Sequence, residues 1–227
     1  MGNADIVGDL RGLIVFDLDG TLVDSRRDLA DAANALVAER GGAPLSEHAI
    51  GRMVGDGAAM LVRRALTAAG LPLDESSLPR FLKLYDERLL RTTRPYPGML
   101  DALAALGPLG PLAVLTNKPR QHSETLLDAL DLAPFFATVI GGDGPFARKP
   151  DPEGLRHLLT LHDVRPERTV LVGDSPIDAA TALAAGTRFC LARYGFGGPD
   201  GSFAADASVG APPELPDAIR RLLTRLA

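Results

Sequence analysis

The sequence predicts an α/β fold, an open, doubly wound parallel sheet carrying an inserted α-helical domain. Three observations predict it. Short apolar runs alternate with helical patterns beyond about residue 95. The runs are apolar at odd and even positions alike, as strands buried on both faces of a parallel sheet are. Roughly 65 residues between the first and second runs contain helical patterns and no strand, far more than a simple crossover holds.

The first run is Leu13–Phe16, and four others follow at Leu112–Leu115, Ala137–Ile140, Thr169–Val172 and Phe189–Ala192, each bounded by Gly, Pro or a polar turn. After the first, Ser25 with Asp28 three residues on predicts a capping-box helix start. Leu29, Ala32, Ala33, Leu36 and Val37 then form one apolar stripe. A second helix is expected to begin near Asp56, and a third to carry Leu78, Phe81, Leu82, Tyr85 and Leu89 on one face. Residues 23–93 are therefore read as the inserted helical domain, and residues 1–22 and 94–227 as the α/β core. Within the core, Pro119 opens one helix. Asp151 with Pro152, and Ser175 with Pro176, open two more, each pair an N-cap residue followed by proline at the first helical position. Residues 195–201 and 210–216 read as loops, and residues 216–227 as a closing amphipathic helix.

Composition excludes several classes. A net charge of -5 argues against a nucleic-acid surface, which needs clustered Lys and Arg. A single cysteine, Cys190, permits no internal disulfide, and its apolar surroundings predict a buried structural thiol. Met1–Leu10 lacks the apolar run of a signal peptide, and no stretch approaches the roughly 18 apolar residues of a membrane span. A cytoplasmic protein that binds neither nucleic acid nor membrane is expected; oligomeric state is left open between monomer and homodimer.

Ligands of open α/β sheets bind at the carboxyl ends of the strands. The polar residues there are Asp17, Asp19, Gly20 and Thr21, then Thr116, Asn117 and Lys118, then Gly173, Asp174 and Ser175, with Asp178 beyond; Lys149 precedes a helix on the same edge. Crowded carboxylates repel unless a cation joins them, and Mg²⁺ favours such oxygen ligands. An Asp is able to attack phosphorus and form an aspartyl-phosphate. Two residues along an extended strand, Asp19 falls on the same face as Asp17, where it serves as acid and then as base.

The run Phe16–Ser25 resembles the first motif of the haloacid dehalogenase-like hydrolase superfamily. Its other motifs follow in order as Thr116 with Asn117, Lys149, and Gly173–Asp174 with Asp178. The resemblance covers the whole chain and implies a Rossmann-like core with a helical cap. It implies Asp17 as nucleophile, Asp19 as general acid/base, Thr116 and Asn117 as phosphate ligands, and Lys149 steadying nucleophile and phosphate. Mg²⁺ would be held by Asp17, the Asp19 carbonyl and Asp174, with Asp178 beside or behind it. Val54–Ala58, Arg63–Leu66, Gly141–Asp143 and Tyr194–Gly197 resemble the phosphoglycolate phosphatase branch, which implies 2-phosphoglycolate among small phosphorylated metabolites as substrate. Glycines at a helix start let a substrate approach the backbone, and Arg64 is the candidate for its carboxylate.

A sugar-phosphate mutase shares the same aspartate pair, and a non-catalytic binding protein shares the fold. The first would interconvert hexose phosphates; the second leaves Asp19 without a purpose. A dehalogenase lacks the second acid of the first motif, and a phosphonatase needs a cap lysine, for which the insertion offers only Lys83. Lys118 is read as a solvated helix-start residue. His48, His122, His157 and His162 show no metal-ligand spacing and are read as surface residues.

Overall fold

In a computed structural model, which describes residues 11–197 and 203–224, the five expected runs all form strands of one sheet. They are β1 (Leu13–Phe16), β4 (Leu112–Leu115), β5 (Phe136–Ile140), β6 (Thr169–Gly173) and β7 (Arg188–Ala192). A sixth, β8 (Ala207–Val209), is too short and too polar at Ser208 to stand out in the sequence. All pairings are parallel, in the order β5-β4-β1-β6-β7-β8. The expectations for residues 1–10, for part of the 195–201 loop and for the last three residues lie outside the described residues.

The alternating side chains of β1 feed two cores. Ile14 and Phe16 pack with α5 (Met99–Leu106), α6 (Arg120–Ala129) and α9 (Leu215–Thr224). Leu13 and Val15 pack with α7 (Glu153–His162) and α8 (Pro176–Ala185) on the other face. Helices on both faces make the sheet doubly wound. The strand β5 departs from the expectation of burial on both faces: as the edge strand it has one neighbour, and only Ile140 is buried. Cys190 is buried as expected, and burial pushes its thiol up to about 12.

A two-stranded antiparallel ribbon carries the chain out and back. Val23 of β2 (Val23–Asp24) pairs with Pro95 of β3 (Arg94–Pro95). Between them lie α1 (Arg26–Glu39), α2 (Glu47–Gly51), α3 (Ala58–Ala68) and α4 (Ser77–Asp86). The α1 stripe from Leu29 to Val37 is buried as its spacing requires. One expectation fails here, and one helix is unforeseen. Ser25 with Asp28 forms no capping box, and the short α2 has no signal beyond its Ser46 cap. Tertiary partners win both side chains: Ser25 turns to Asp19, and buried Asp28 accepts from the backbone N–H and hydroxyl groups of both Thr92 and Thr93. Burial alone would raise the Asp28 carboxyl, but these bonds outweigh it and hold the group below its usual range. Asp28 thus ties the start of the helical segment to its end. Pro152 also differs, sitting at the N-cap of α7, with the Asp151 side chain accepting from Glu153 N–H.

Candidate active site

Asp17 is the first residue beyond β1, where its own N–H still bonds Val172 of the neighbouring strand at 2.9 Å. This fixes the side chain at the carboxyl edge of the sheet. Its Oδ1 accepts from Leu18 N–H at 2.7 Å and lies 3.0 Å from Lys149 Nζ. Oδ2 has no partner among the described residues. Lys149 Nζ also donates to Asp178 Oδ1 at 2.6 Å. The other Asp178 oxygen receives the N–H and hydroxyl of Ser175, so Asp178 completes the capping box of α8 while it pairs with Lys149.

Asp174 follows β6 and is held from the opposite side. Its Oδ2 accepts from Phe196 N–H at 2.7 Å and Gly197 N–H at 3.1 Å, within the Tyr194–Gly197 segment, and Thr21 Oγ1 lies 3.4 Å from Oδ1. Gly20 adopts φ +85°, and a Cβ there would run into the Asp174 carboxylate. Carboxylate oxygens of Asp17, Asp174 and Asp178 lie within 4.8 Å of one another. Among the described residues one ammonium, that of Lys149, pairs with two of these three acids, Asp17 and Asp178. Burial pushes Asp17 up to about 6, a rise that Lys149 limits, and pushes Asp174 up to about 8, reinforced by the charges of Asp178 and Asp17. Lys149 is held charged above its usual range, because Asp17 and Asp178 outweigh its own burial. A buried all-oxygen set with surplus negative charge fits a hard divalent cation.

Asp19 lies on the same edge but outside the acid cluster. Its Oδ1 accepts from Ser25 Oγ at 2.5 Å, and Lys118 Nζ lies 3.1 Å from both of its oxygens. Lys118 overturns the expectation of a solvated residue. It is buried, donates to Tyr85 Oη at 2.7 Å, and sits 4.4 Å over the Tyr85 ring. His122 is likewise buried, packed on Tyr85 and 2.7 Å from Asp86 Oδ1, because α4 covers the start of α6. His162 is half-buried, 3.1 Å from Thr138 Oγ1; His48 and His157 are exposed as expected. Ser25, Tyr85, Lys118 and His122 are the residues here that sequence reasoning missed. Only Lys118, next to Thr116 and Asn117 at a strand end, carried a signal able to find it.

Thr116 and Asn117 follow β4 and are buried beside Asp17. Thr116 Oγ1 accepts from Lys118 N–H at 3.2 Å. The Asn117 amide donates to Gly55 O and Lys149 O, both at 2.9 Å, which joins the helical segment to two core loops; Asn117 Oδ1 is buried and unpartnered. Leu61, Phe81 and Leu82 close the cavity over Asp17 and Asp19 from the helical side. Arg64 lines an adjoining cleft with Asp19 and Asp174, but its guanidinium pairs with Asp56 at 2.5 Å and donates to Met53 O. No helix among the described residues is long and apolar enough to cross a membrane.

Residues 14–192 match the family model for haloacid dehalogenase-like hydrolases. The chain is 45% identical to a phosphoglycolate phosphatase of Rhodospirillum rubrum over 81% of this chain and 80% of that one. It is 41% identical to a plasmid-borne phosphoglycolate phosphatase of Cupriavidus necator, over 89% and 90% of the two chains. Among solved structures, a "predicted phosphoglycolate phosphatase" from Haemophilus somnus superposes with a TM-score of 0.84 at 30% identity, covering 91% of this chain and 96% of that one.

Proposed function

The chain belongs to the haloacid dehalogenase-like hydrolase family, and from that footing we propose that it releases phosphate from 2-phosphoglycolate through an aspartyl-phosphate. It is a phosphoric monoester hydrolase, as its relatives are named. The observation that carries the mechanism is the state of Asp17: buried, with Oδ1 tied to Leu18 N–H and Lys149, and Oδ2 without a partner among the described residues, in a cavity that Asp19 also lines.

In this reading Asp17 Oδ2 attacks phosphorus, the ester P–O bond breaks, and the leaving oxygen takes a proton from Asp19. Asp19 then accepts a proton from water, the water oxygen attacks phosphorus, and the P–Oδ2 bond breaks to return the Asp17 carboxylate. Lys149 holds Asp17 in place and offers positive charge to the phosphoryl oxygens, with Thr116 beside it. The apolar wall of Leu61, Phe81 and Leu82 excludes bulk water while residues 23–93 act as the cap. Phosphatases of this family generally use a divalent metal, and we assign Mg²⁺ to Asp17, the Asp19 carbonyl and Asp174, with Asp178 bracing Lys149. That ion, when bound, neutralises the acids and withdraws charge from the transferring phosphoryl group.

The names of the relatives and the small cavity over Asp17 support phosphoglycolate as the substrate. The test is phosphate release from a panel of phosphorylated metabolites, 2-phosphoglycolate among them, with Mg²⁺ and with EDTA. Release from phosphoglycolate that chelation abolishes is expected. Preference for another compound would keep the chemistry and discard the substrate. Undiminished turnover by Asp17→Asn would discard the chemistry.

A further inference from the structure

The described residues hold one buried ammonium besides Lys149 at the carboxyl edge of the sheet, that of Lys118. Its side chain is 3% exposed, which is costly for an ammonium unless its protons are all given to partners. Two kinds of partner are present, and they come from different parts of the chain. From the core, Asp19 offers both carboxylate oxygens at 3.1 Å. From α4 of the helical segment, Tyr85 offers its hydroxyl oxygen at 2.7 Å and the face of its ring at 4.4 Å. Tyr85 is itself fully buried, and its ring stacks on Phe81 and packs against His122. The phenol is thus fixed by packing before it meets the ammonium.

Asp19, by contrast, has little of its own to fix it. It lies outside β1, is half-buried, and among the described residues its carboxylate has one other partner, the hydroxyl of Ser25 at the start of α1. Both groups that orient it therefore depend on how the helical segment is seated. We infer that Lys118 is a positioning residue which, braced by Tyr85, holds the Asp19 carboxylate in place when the helical segment is docked on the core. This rests on the reading of Asp19 as the acid/base. By donating hydrogen bonds to both Asp19 oxygens, Lys118 fixes the orientation in which that carboxylate meets the attacking water. Its loss therefore falls on hydrolysis of the aspartyl-phosphate, more than on binding of substrate or attack by Asp17. This role accounts for a lysine, and not a third neutral residue, after Thr116 and Asn117: a long cationic side chain spans from the strand end to both Asp19 and the cap tyrosine.

The experiment compares Lys118→Met and Tyr85→Phe with the parent enzyme, using 2-phosphoglycolate or whichever panel member is turned over best. Steady-state constants are measured together with acid-quenched phosphoprotein. In Lys118→Met, kcat and KM are expected to fall together, kcat by about 100-fold, with kcat/KM nearly unchanged and phosphorylated enzyme accumulating, since general acid–base catalysis is worth about 10²–10⁴. Tyr85→Phe keeps the ring but loses the hydroxyl, and should shift the same two readouts in the same direction by about threefold to tenfold. It also serves as the test if Lys118→Met does not fold. A merely structural role would not raise the phosphorylated fraction. A raised KM with kcat and phosphoprotein unchanged would overturn the inference and make Lys118 a substrate ligand. Unchanged constants in both variants would overturn it outright. Asp17→Asn separates this from the underlying mechanism: it should give no phosphoprotein and no turnover, and full turnover there would sink the mechanism itself.

Discussion

Replacing Lys149 by Met should make the stability of the metal-free protein strongly dependent on pH. The methionine roughly fills the same volume, so the change removes charge more than packing. What is lost is the ammonium 3.0 Å from Asp17 Oδ1 and 2.6 Å from Asp178 Oδ1, in a site where Lys149 is 4% exposed. Stranding buried charges in this way costs about 3–5 kcal/mol. Protonation limits the loss. Asp17 already stands at about 6 with Lys149 lowering it, so removing that lysine moves it further up. A carboxyl whose folded value exceeds its unfolded one binds more protons when folded, and its stabilisation is lost as pH rises. The destabilisation should therefore be small at pH 5, where Asp17 takes up a proton, and reach the full about 3–5 kcal/mol near pH 8. Urea unfolding of both proteins in EDTA, followed by circular dichroism at pH 5 and 8, measures the difference. A loss under about 1 kcal/mol at pH 8, or an equal loss at both values, would refute the claim that Lys149 balances this acid cluster.

Divalent-cation affinity of the parent protein should rise as pH increases between about 6 and 8, because Asp17 and Asp174 must shed protons raised to those values before they serve as ligands; calorimetry in buffers of different ionisation enthalpy will show the proton release. Asp28→Asn should cost about 3 kcal/mol at neutral pH, since it disrupts a buried carboxylate accepting from Thr92 and Thr93. Because the Asp28 carboxyl is held below its usual range, that difference should shrink as the medium is acidified below about pH 4, which urea titrations at several pH values will reveal. Cys190, buried with its thiol raised to about 12, should resist a disulfide reagent in the native protein and react once urea unfolds it.

Much of this molecule is legible in one dimension. The strands β1, β4, β6 and β7 announce themselves because burial on both faces demands an unbroken apolar run. The α1 stripe does so because one helical face meets a core. The order of Asp17, Thr116, Lys149 and Asp174 is readable because an open parallel sheet gathers strand ends along one edge. Where a residue has two competing local and distant partners, the sequence misleads. Ser25 and Asp28 have the spacing of a capping box, yet each forms its bonds with groups brought by tertiary folding, Asp19 for one and the Thr92–Thr93 pair for the other.

The sequence by itself determined which polar residues gather at the strand ends and the sheet edge they share, because both follow from local pattern and from one rule of topology. Tertiary structure alone decided how those residues are paired. Lys118 looks like any lysine at a helix start until α4 lays Tyr85, packed on His122, over it. Arg64 looks free until it turns to Asp56, and Asn117 looks available until its amide joins Gly55 to Lys149. Such choices are made by desolvation: a polar group takes whichever partner remains when the inserted helices dock and water leaves, and no spacing along the chain records which partner that is.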